Sequence, residues 1–458
     1  MKKIFLSLVM LAAMGQAFAQ TPEEKAAKKA AEKLAKSQVS QGVKLRDEIL
    51  TLYQANQAEQ AKGEKANADL IGKNEASIKT KALEANEVLQ TALHGGNVPP
   101  KQMFEASKAL DDVSSQLLNP ELNKAAAKQT FDTLAFAKAV DGVCKGCYGV
   151  ITYGNKKDEL QKPAILNSEL KMPKLMTYYA YLCLFYTESK NINGAAAALD
   201  KYANFATDYP AVANEETVKN PEYPVSQFAF NLYYTAYTLK DYANCEKYYQ
   251  TALEYPDEQS HNFVVSSYPQ MFLSKGDTVR WVSELKSMIK ADPNSSNAEV
   301  ATQNLLAYYG KQGPQPMSAF ADEILTAFPN NKIANYGKGY SLFAQEKYEE
   351  ALPFFQKSVE VASGEYLDGN FMCGMSLYRE ALENYYKHID SKKYKTAAEM
   401  TAAEDKYVKS YFRKAQTYFE KCRELAPEKA EDWAGPLQNI YKNLGDTVKA
   451  KEMADLLK

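Results

Sequence analysis

The sequence has few of the residues that most often catalyse reactions or bind metals. Its 458 residues include only three histidines, His94, His261 and His388, and these stand far apart. A zinc site needs about four ligands, whereas the single Cys-x-x-Cys pair supplies only half of them. Glycine-rich phosphate loops, Gly-x-Ser-x-Gly and His-Glu-x-x-His are also absent. We therefore expect no catalytic site, no metal and no cofactor, and we expect that the protein is not an enzyme.

An excess of charge of one sign is missing as well. The chain has 55 Lys and Arg against 57 Asp and Glu, a net charge of −2. Removal of Lys2 and Lys3 with a leader segment makes this about −4. Proteins that bind nucleic acid or anionic membranes usually carry a basic surface, so this balance predicts neither kind of partner. No stretch after residue 19 is long and apolar enough for a transmembrane helix.

Met1–Ala19 has the three parts of a secretory signal peptide. Two lysines precede an apolar run, and the run ends in Ala17-Phe18-Ala19. Small residues at alternate positions mark a cleavage site, so we expect the mature chain to begin at Gln20. The residue directly after that site is glutamine rather than cysteine, and a lipid anchor is therefore not expected. The pattern predicts export to the periplasm of a bacterial envelope.

The N-terminal part is rich in helix-forming residues with weak apolar stripes. Thr21–Lys36 consists mostly of Ala, Glu and Lys, and it predicts a solvated helix with little to bury. Val43–Leu93 is predicted to continue as helix, and the Gly and Pro residues of His94–Pro100 end it. We assign residues 20–160 to an irregular helical region and residues 161–458 to a repeat domain.

The clearest pattern lies in Ile333–Gly364, where the short polar turn Gln345-Glu346-Lys347 joins two amphipathic segments. An antiparallel helix pair with one open apolar face cannot bury that face alone, so the pattern predicts stacked copies. The second segment places its apolar residues on one helical face, at spacings of three and four: Tyr348, Ala351, Leu352, Phe355 and Val359.

Copies of this pattern recur downstream. Ala351-x3-Phe355 returns as Ala415-x3-Phe419, and Gly339-x2-Leu342 returns as Gly374-x2-Leu377. With Trp433 at a first-helix position, these spacings resemble the tetratricopeptide repeat. The resemblance implies an all-α fold, a right-handed superhelical solenoid of antiparallel helix hairpins. Members of this family commonly bind peptides or helices on the inner, concave side.

The first helices of the repeats carry aromatic or large apolar residues at i, i+4 and i+7. Tyrosine suits a binding surface because its rigid ring offers apolar contact together with a hydroxyl group. The resemblance places one set of residues on the concave side: Phe230, Tyr234, Tyr237, Tyr336, Tyr340, Phe343, Phe371, Met375 and Tyr378. A second set should interlock with neighbouring helices: Leu232, Ala236, Gly339, Leu342, Gly374 and Leu377. The alternative is that the aromatic residues pack against one another.

Cys144-Lys145-Gly146-Cys147 is the sharpest local motif. An oxidising compartment favours a structural disulfide between the two cysteines, and two free thiols are the alternative. A redox dithiol needs a βαβ context and a metal site needs further ligands, neither of which the surrounding sequence offers. Buried thiols are expected at the cysteines that stand singly in predicted helices: Cys183, Cys245, Cys373 and Cys422.

We expect an exported, non-enzymatic scaffold that holds a protein or peptide on the concave face of the solenoid. One alternative is a carbohydrate- or nutrient-binding accessory protein of an outer-membrane uptake system, because exposed tyrosines can stack on sugar rings. The chain resembles the repeat-containing binding lipoproteins of such systems but lacks their lipid-anchor cysteine. A redox or hydrolytic enzyme built on Cys144 and Cys147 is a third interpretation, and it lacks supporting residues.

Overall fold

The computed structural model describes residues 21–127, 130, 132–390 and 393–458. Met1–Ala19, which carries the predicted signal peptide, lies outside these residues. Within the described residues the regular secondary structure is helical throughout, and no strand occurs. The predicted all-α class is therefore confirmed, and consecutive helices pair as the hairpins described below.

The chain divides into two compact units, Met1–Val264 and Val265–Lys458. The division falls inside a single helix, Glu258–Ser274. The boundary predicted after residue 160 rests on the repeat pattern rather than on compactness, and it stays a prediction.

The first unit is built from helix hairpins in chain order. α1 packs on α2, α3 on α4, α5 on α6 and α7 on α8, where the helices have these bounds: α1 Pro22–Gln60, α2 Ala68–His94, α3 Pro100–Ala126, α4 Thr133–Tyr153, α5 Lys162–Glu188, α6 Ile192–Ala203, α7 Val225–Thr238 and α8 Tyr242–Leu253. Shorter helical turns lie between them, at Gly63–Lys65, Phe205–Asp208, Pro210–Val212 and Glu216–Lys219.

The second unit continues the same arrangement after α9, Glu258–Ser274. Its helices are α10 Thr278–Ala291, α11 Ser296–Gly310, α12 Pro314–Ala327, α13 Lys332–Phe343, α14 Tyr348–Val361, α15 Leu367–His388, α16 Ala397–Glu404, α17 Ser410–Leu425, α18 Ala430–Leu444 and α19 Thr447–Leu456. From α10 to α15 each helix packs on the next, and α15 then packs on α17. A π-helical turn, Asp405–Lys409, joins α16 to α17.

One turn geometry recurs where paired helices are joined. A residue with left-handed backbone follows the first helix, with φ between 60° and 86°: Lys190, Lys240, Gly276, Glu346 or Gly445. The backbone N–H of the next residue donates to the carbonyl five positions back, as Asp277 does to Phe272 at 2.9 Å. This is the Schellman arrangement, which satisfies carbonyls that the helix end would leave unpaired. It reverses the chain within very few residues, which is why the paired helices run antiparallel.

Two of the predicted packing glycines lie against a phenylalanine of the paired helix. A β-carbon built on Gly339 would lie 2.8 Å from the ring of Phe355, and one built on Gly374 would lie 2.8 Å from the ring of Phe419. Both phenylalanines are fully buried. The other predicted packing residues are buried as well: Leu232, Ala236, Leu342 and Leu377. The packing register predicted from the repeat pattern is therefore confirmed.

One helix predicted for the N-terminal part is divided in two in the structure. The predicted helix Val43–Leu93 is interrupted, because α1 ends at Gln60 and α2 begins at Ala68. Gly63 adopts a left-handed φ of 62°, and the side chain of Asn67 accepts a hydrogen bond from the N–H of Leu70 at 3.0 Å. Asn67 therefore caps α2, and a glycine followed by a capping residue was the signal in the sequence.

A seam of small residues brings α3 and α4 into close contact. Three glycines of α4 face three residues of α3 at the same i, i+4, i+7 spacing. A β-carbon on any of the three would lie 2.5 Å or less from its partner residue: Gly142 faces Ser114, Gly146 faces Asp111 and Gly149 faces Ser107. This seam fixes α4, and with it the Cys-x-x-Cys motif, deep in the first unit.

Candidate partner-binding site

The nine residues predicted to line a concave surface lie at the border between core and solvent. Tyr234 is 48% exposed and Tyr340 is 45% exposed. The other seven are partly buried: Phe230, Tyr237, Tyr336, Phe343, Phe371, Met375 and Tyr378. Their neighbours therefore decide which of them a partner can contact.

In the first unit, the three candidates of α7 surround one aromatic residue of α9. The ring centroid of Phe263 lies 5.1 Å from that of Tyr234, 5.7 Å from that of Tyr237 and 6.5 Å from that of Phe230. Burial raises the pKa of the Tyr237 hydroxyl. These rings mainly hold α7 and α9 together, as the packing alternative expects, and Tyr234 alone keeps an exposed face.

Four candidates of the second unit contact its core. Phe343 lies 4.9 Å from Tyr348 between ring centroids. Phe371 contacts Phe419 at 5.7 Å, and Tyr378 contacts Phe412 at 5.5 Å. Met375 packs against the same buried cluster as Phe371 and Tyr378. Truncation of any of these side chains should therefore cost stability before it affects binding.

Tyr336 and Tyr340 differ from the others because they line an open groove of about 350 Å³ in the second unit. Four elements build its walls: α11, α12, α13 and the start of α15. The rings of Tyr336 and Tyr340 stack with centroids 6.2 Å apart, and Tyr366 meets Tyr336 edge-on at 5.5 Å. The remaining lining residues are Gln303, Leu306, Ala307, Met317, Ile333 and Asp368. Most of the lining residues are apolar or aromatic, and hydroxyl, amide and carboxylate groups lie among them.

The electrostatics of the groove depend on its burial and on its acidic residues. Burial raises the pKa of the Tyr336 and Tyr366 hydroxyls, and the carboxylate of Asp368 raises both further. These phenols therefore stay protonated near neutral pH and can donate hydrogen bonds. Among the described residues, no hydrogen bond or ion pair engages the Asp368 carboxylate, and this residue is exposed.

The sequence pattern found two of the groove residues and missed the others. Tyr366 and Asp368 lie at the junction into α15, outside the i, i+4, i+7 spacing that selected the candidates. Gln303 and Met317 lie in helices that show no aromatic recurrence. The only local signal was an aromatic residue and an acid directly after the turn Ser363-Gly364.

The six cysteines are buried, and no disulfide joins any two of them in this structure. Cys144 lies near Tyr179 and Asp141, whereas Cys147 lies near Asp111 and Ser168. Burial raises the pKa of both thiols, that of Cys147 to about 12. A protonated, buried thiol is a poor nucleophile, which weighs against redox chemistry. The disulfide between Cys144 and Cys147 stays a prediction.

No group of three or more His, Cys, Asp or Glu side chains could hold a metal ion in the described part of the chain. Over the same residues, no helix is long and apolar enough to cross a bilayer.

No protein-family model matches the chain, and no curated protein sequence matches it. Several solved helical-repeat structures are similar. One is the C-terminal part of a TPR repeat-containing protein from Cytophaga hutchinsonii, which is 13% identical, with a TM-score of 0.32 over 60% of this chain and 92% of that one. The TPR domain of P58(IPK) is 11% identical, with a TM-score of 0.26 over 88% of this chain and 99% of that one.

A human IFIT1 dimer with PPP-AAAA is also similar, at 12% identity and a TM-score of 0.21, over 90% of this chain and 93% of that one. The assignment of the fold therefore stands on the helices, turns and packing described above. The expected absence of a nucleic-acid partner stays a prediction.

Proposed function

We propose that this chain is an exported, non-enzymatic scaffold that binds a segment of another protein in the groove around Tyr336 and Tyr340. The observation that carries the proposal is the exposure of Tyr340 beside apolar side chains from three helices. Binding sites are typically concave and mostly apolar, with a few convergent polar groups. Aromatic anchors in such sites contribute most of the binding free energy of many interfaces.

A protein segment suits the lining better than a sugar does. Leu306, Met317 and Ile333 offer aliphatic contact, which favours a partner with large apolar side chains. The sugar-binding alternative draws support from one feature, the open ring of Tyr340 with the polar groups of Gln303 and Asp368 in the same groove. A sugar would have to satisfy many hydroxyl groups with these few partners, because unsatisfied polar groups are costly to bury.

Selection of displayed random peptides on the purified chain from residue 20 to 458 tests the proposal. We expect the selected peptides to bind wild-type protein at least about tenfold more tightly than Tyr340→Ala, since exposed interface aromatics are frequent hot spots. Tyr386→Ala is a matched control, because this tyrosine is 83% exposed in the same unit and does not line the groove. Both variants should keep the wild-type thermal melt, since surface changes usually stay within about 0.5 kcal/mol.

The outcome that contradicts the proposal is a set of peptides whose binding does not depend on Tyr340. If no peptide is selected but maltohexaose binds wild-type protein and not Tyr340→Ala, the groove is a sugar site instead.

Export is part of the proposal and depends on Met1–Ala19 alone. The tripartite pattern of charge, apolar run and Ala-Phe-Ala supports it. N-terminal sequencing of the protein purified from its native cells should find Gln20 as the first residue. A retained Met1 would contradict export.

A further inference from the structure

The groove carries one acidic group that no side chain of the described residues pairs with. Asp368 lies in the first turn of α15 and lines the groove. The nearby carboxylate of Glu299 is neutralised, because Lys332 forms an ion pair with it at 2.9 Å. The groove therefore presents the charge of Asp368 to an incoming partner.

Three tyrosine rings converge beside this carboxylate. Tyr336 is 6.2 Å from Tyr340 and 5.5 Å from Tyr366 between ring centroids, and the second contact is edge-on. Aromatic faces attract cations through the ring quadrupole, and several rings around one pocket are typical of sites for ammonium groups. A carboxylate at the border of such rings adds a charge-assisted hydrogen bond.

The chain already places a cation of its own over one of these rings. The Nζ of Lys332 lies 5.3 Å from the ring centroid of Tyr366. That lysine is held by Glu299, so it compensates Glu299 rather than Asp368. The exposed ring of Tyr340 and the carboxylate of Asp368 are left for a cation from outside.

We infer that the groove binds a lysine or arginine side chain of the partner segment, placed between the Tyr336 and Tyr340 rings and the Asp368 carboxylate. The inference rests on the proposed function and adds to it the charge of the anchoring residue. An acidic anchor is disfavoured by repulsion from Asp368, and a purely apolar anchor would leave that carboxylate without a partner. The aliphatic stem of a lysine or arginine also suits the apolar side chains of the groove, because such stems pack on apolar surface while the charged head stays in water.

The test uses the peptides selected on wild-type protein and measures their Kd by fluorescence anisotropy. We expect each binding peptide to contain a Lys or Arg whose replacement by norleucine weakens binding about tenfold or more. Asp368→Asn should weaken the basic peptide by a similar factor and leave the norleucine peptide unchanged. Such non-additivity shows that the two groups interact directly. Tyr340→Phe should keep most of the affinity, because it keeps the ring, and Tyr340→Leu should lose it.

Glu428→Gln is the matched control for charge, since it removes one exposed acidic charge of the same unit outside the groove. It should leave the Kd of the basic peptide unchanged. If Asp368→Asn binds the basic peptide as wild-type protein does, the basic anchor is wrong while the proposed function stands, provided that binding still depends on Tyr340. If no binding depends on Tyr340, both fail.

Asp368 also lies near the N-terminus of α15, where a negative charge stabilises a helix. If Asp368→Asn does not fold, the basic anchor is tested by comparing the Kd values of the basic and norleucine peptides on wild-type protein. Equal affinities of the basic and norleucine peptides then overturn the inference, and a tenfold difference supports it.

Discussion

At the scale of single residues, the packing of the second unit depends on glycines that leave room for a phenylalanine ring of the paired helix. The ring of Phe355 occupies the space that a β-carbon on Gly339 would take, at 2.8 Å. The same relation holds between Phe419 and Gly374. Interiors are packed as densely as organic crystals, so a single added methyl group at such a glycine must move a buried ring.

This close contact predicts opposite effects for the same substitution at two glycines. Gly339→Ala should lower the free energy of unfolding by about 1–3 kcal/mol, because it overpacks a buried site. Gly72→Ala should raise it by about 0.5–1 kcal/mol, since this glycine lies inside α2 and a β-carbon added to it would meet open space. Urea denaturation of both variants measures the difference. Equal changes in both would show that Gly339 is not in contact with Phe355.

The residue scale also shows what the sequence could predict. Gly339 and Leu342 were predicted as packing residues because the helix that carries them and the helix they pack against belong to the same hairpin, within one stretch of sequence. Tyr366 and Asp368 were missed because the groove gathers residues from positions 303 to 368. Only the spatial arrangement of four helical elements brings these side chains together, and periodicity within one helix carries no information about it.

Buried thiols give a second residue-scale prediction. Cys147 is fully buried with a pKa of about 12, so the folded protein should react with iodoacetamide at pH 8 far more slowly than the unfolded protein.

The predicted disulfide between Cys144 and Cys147 has a separate test. If it forms, mass spectrometry of unfolded, unreduced protein should find two modified cysteines fewer than after reduction. Equal counts before and after reduction would contradict the disulfide.

At the scale of elements, the hairpin turns share one geometry but differ in how well their residues suit it. Gly276-Asp277 and Gly445-Asp446 place glycine at the left-handed position and aspartate at the helix cap. The turn between α13 and α14 has Glu346 and Lys347 there instead. A side chain in the left-handed region costs about 1–2 kcal/mol, and a lysine supplies no cap for the next helix.

We predict that Glu346→Gly combined with Lys347→Asp stabilises the protein by about 1–2 kcal/mol. The backbone angles at Lys347, φ −91° and ψ 64°, resemble those at Asp277, φ −85° and ψ 74°, so the aspartate can cap in the same way. Thermal melting measures the gain. Glu383→Gly is the control, because it places glycine at an exposed position inside α15 and should cost about 1 kcal/mol. A destabilised double variant would show that the turn is held by other contacts.

At the scale of the whole molecule, two buried clusters of the second unit consist of residues of that unit alone. One buried cluster surrounds Phe355 and another surrounds Phe419 and Trp433. Leu352 and Phe371 pack against both clusters. Shared side chains of this kind transmit stability between neighbouring repeats, so the two clusters should unfold together.

We predict that a fragment of residues 258–458 folds and unfolds in one cooperative transition, measured by circular dichroism during urea denaturation. Phe355→Ala in this fragment should lower the free energy of unfolding by about 3–5 kcal/mol and shift the entire transition. Two separate transitions, or a loss confined to part of the helical signal, would mean that the clusters are independent.

The close seam between α3 and α4 makes the redox state of the Cys-x-x-Cys pair a matter of timing. Both sulfur atoms are fully buried, so an oxidant can reach them only while α4 is away from its neighbours. If the chain is exported and the predicted bridge forms, it must form during the interval between translocation and docking of this helix. Folding then preserves the oxidation state that the two thiols had when α4 docked. The fraction of mature protein with the bridge therefore reports the rate of thiol oxidation relative to the rate of folding.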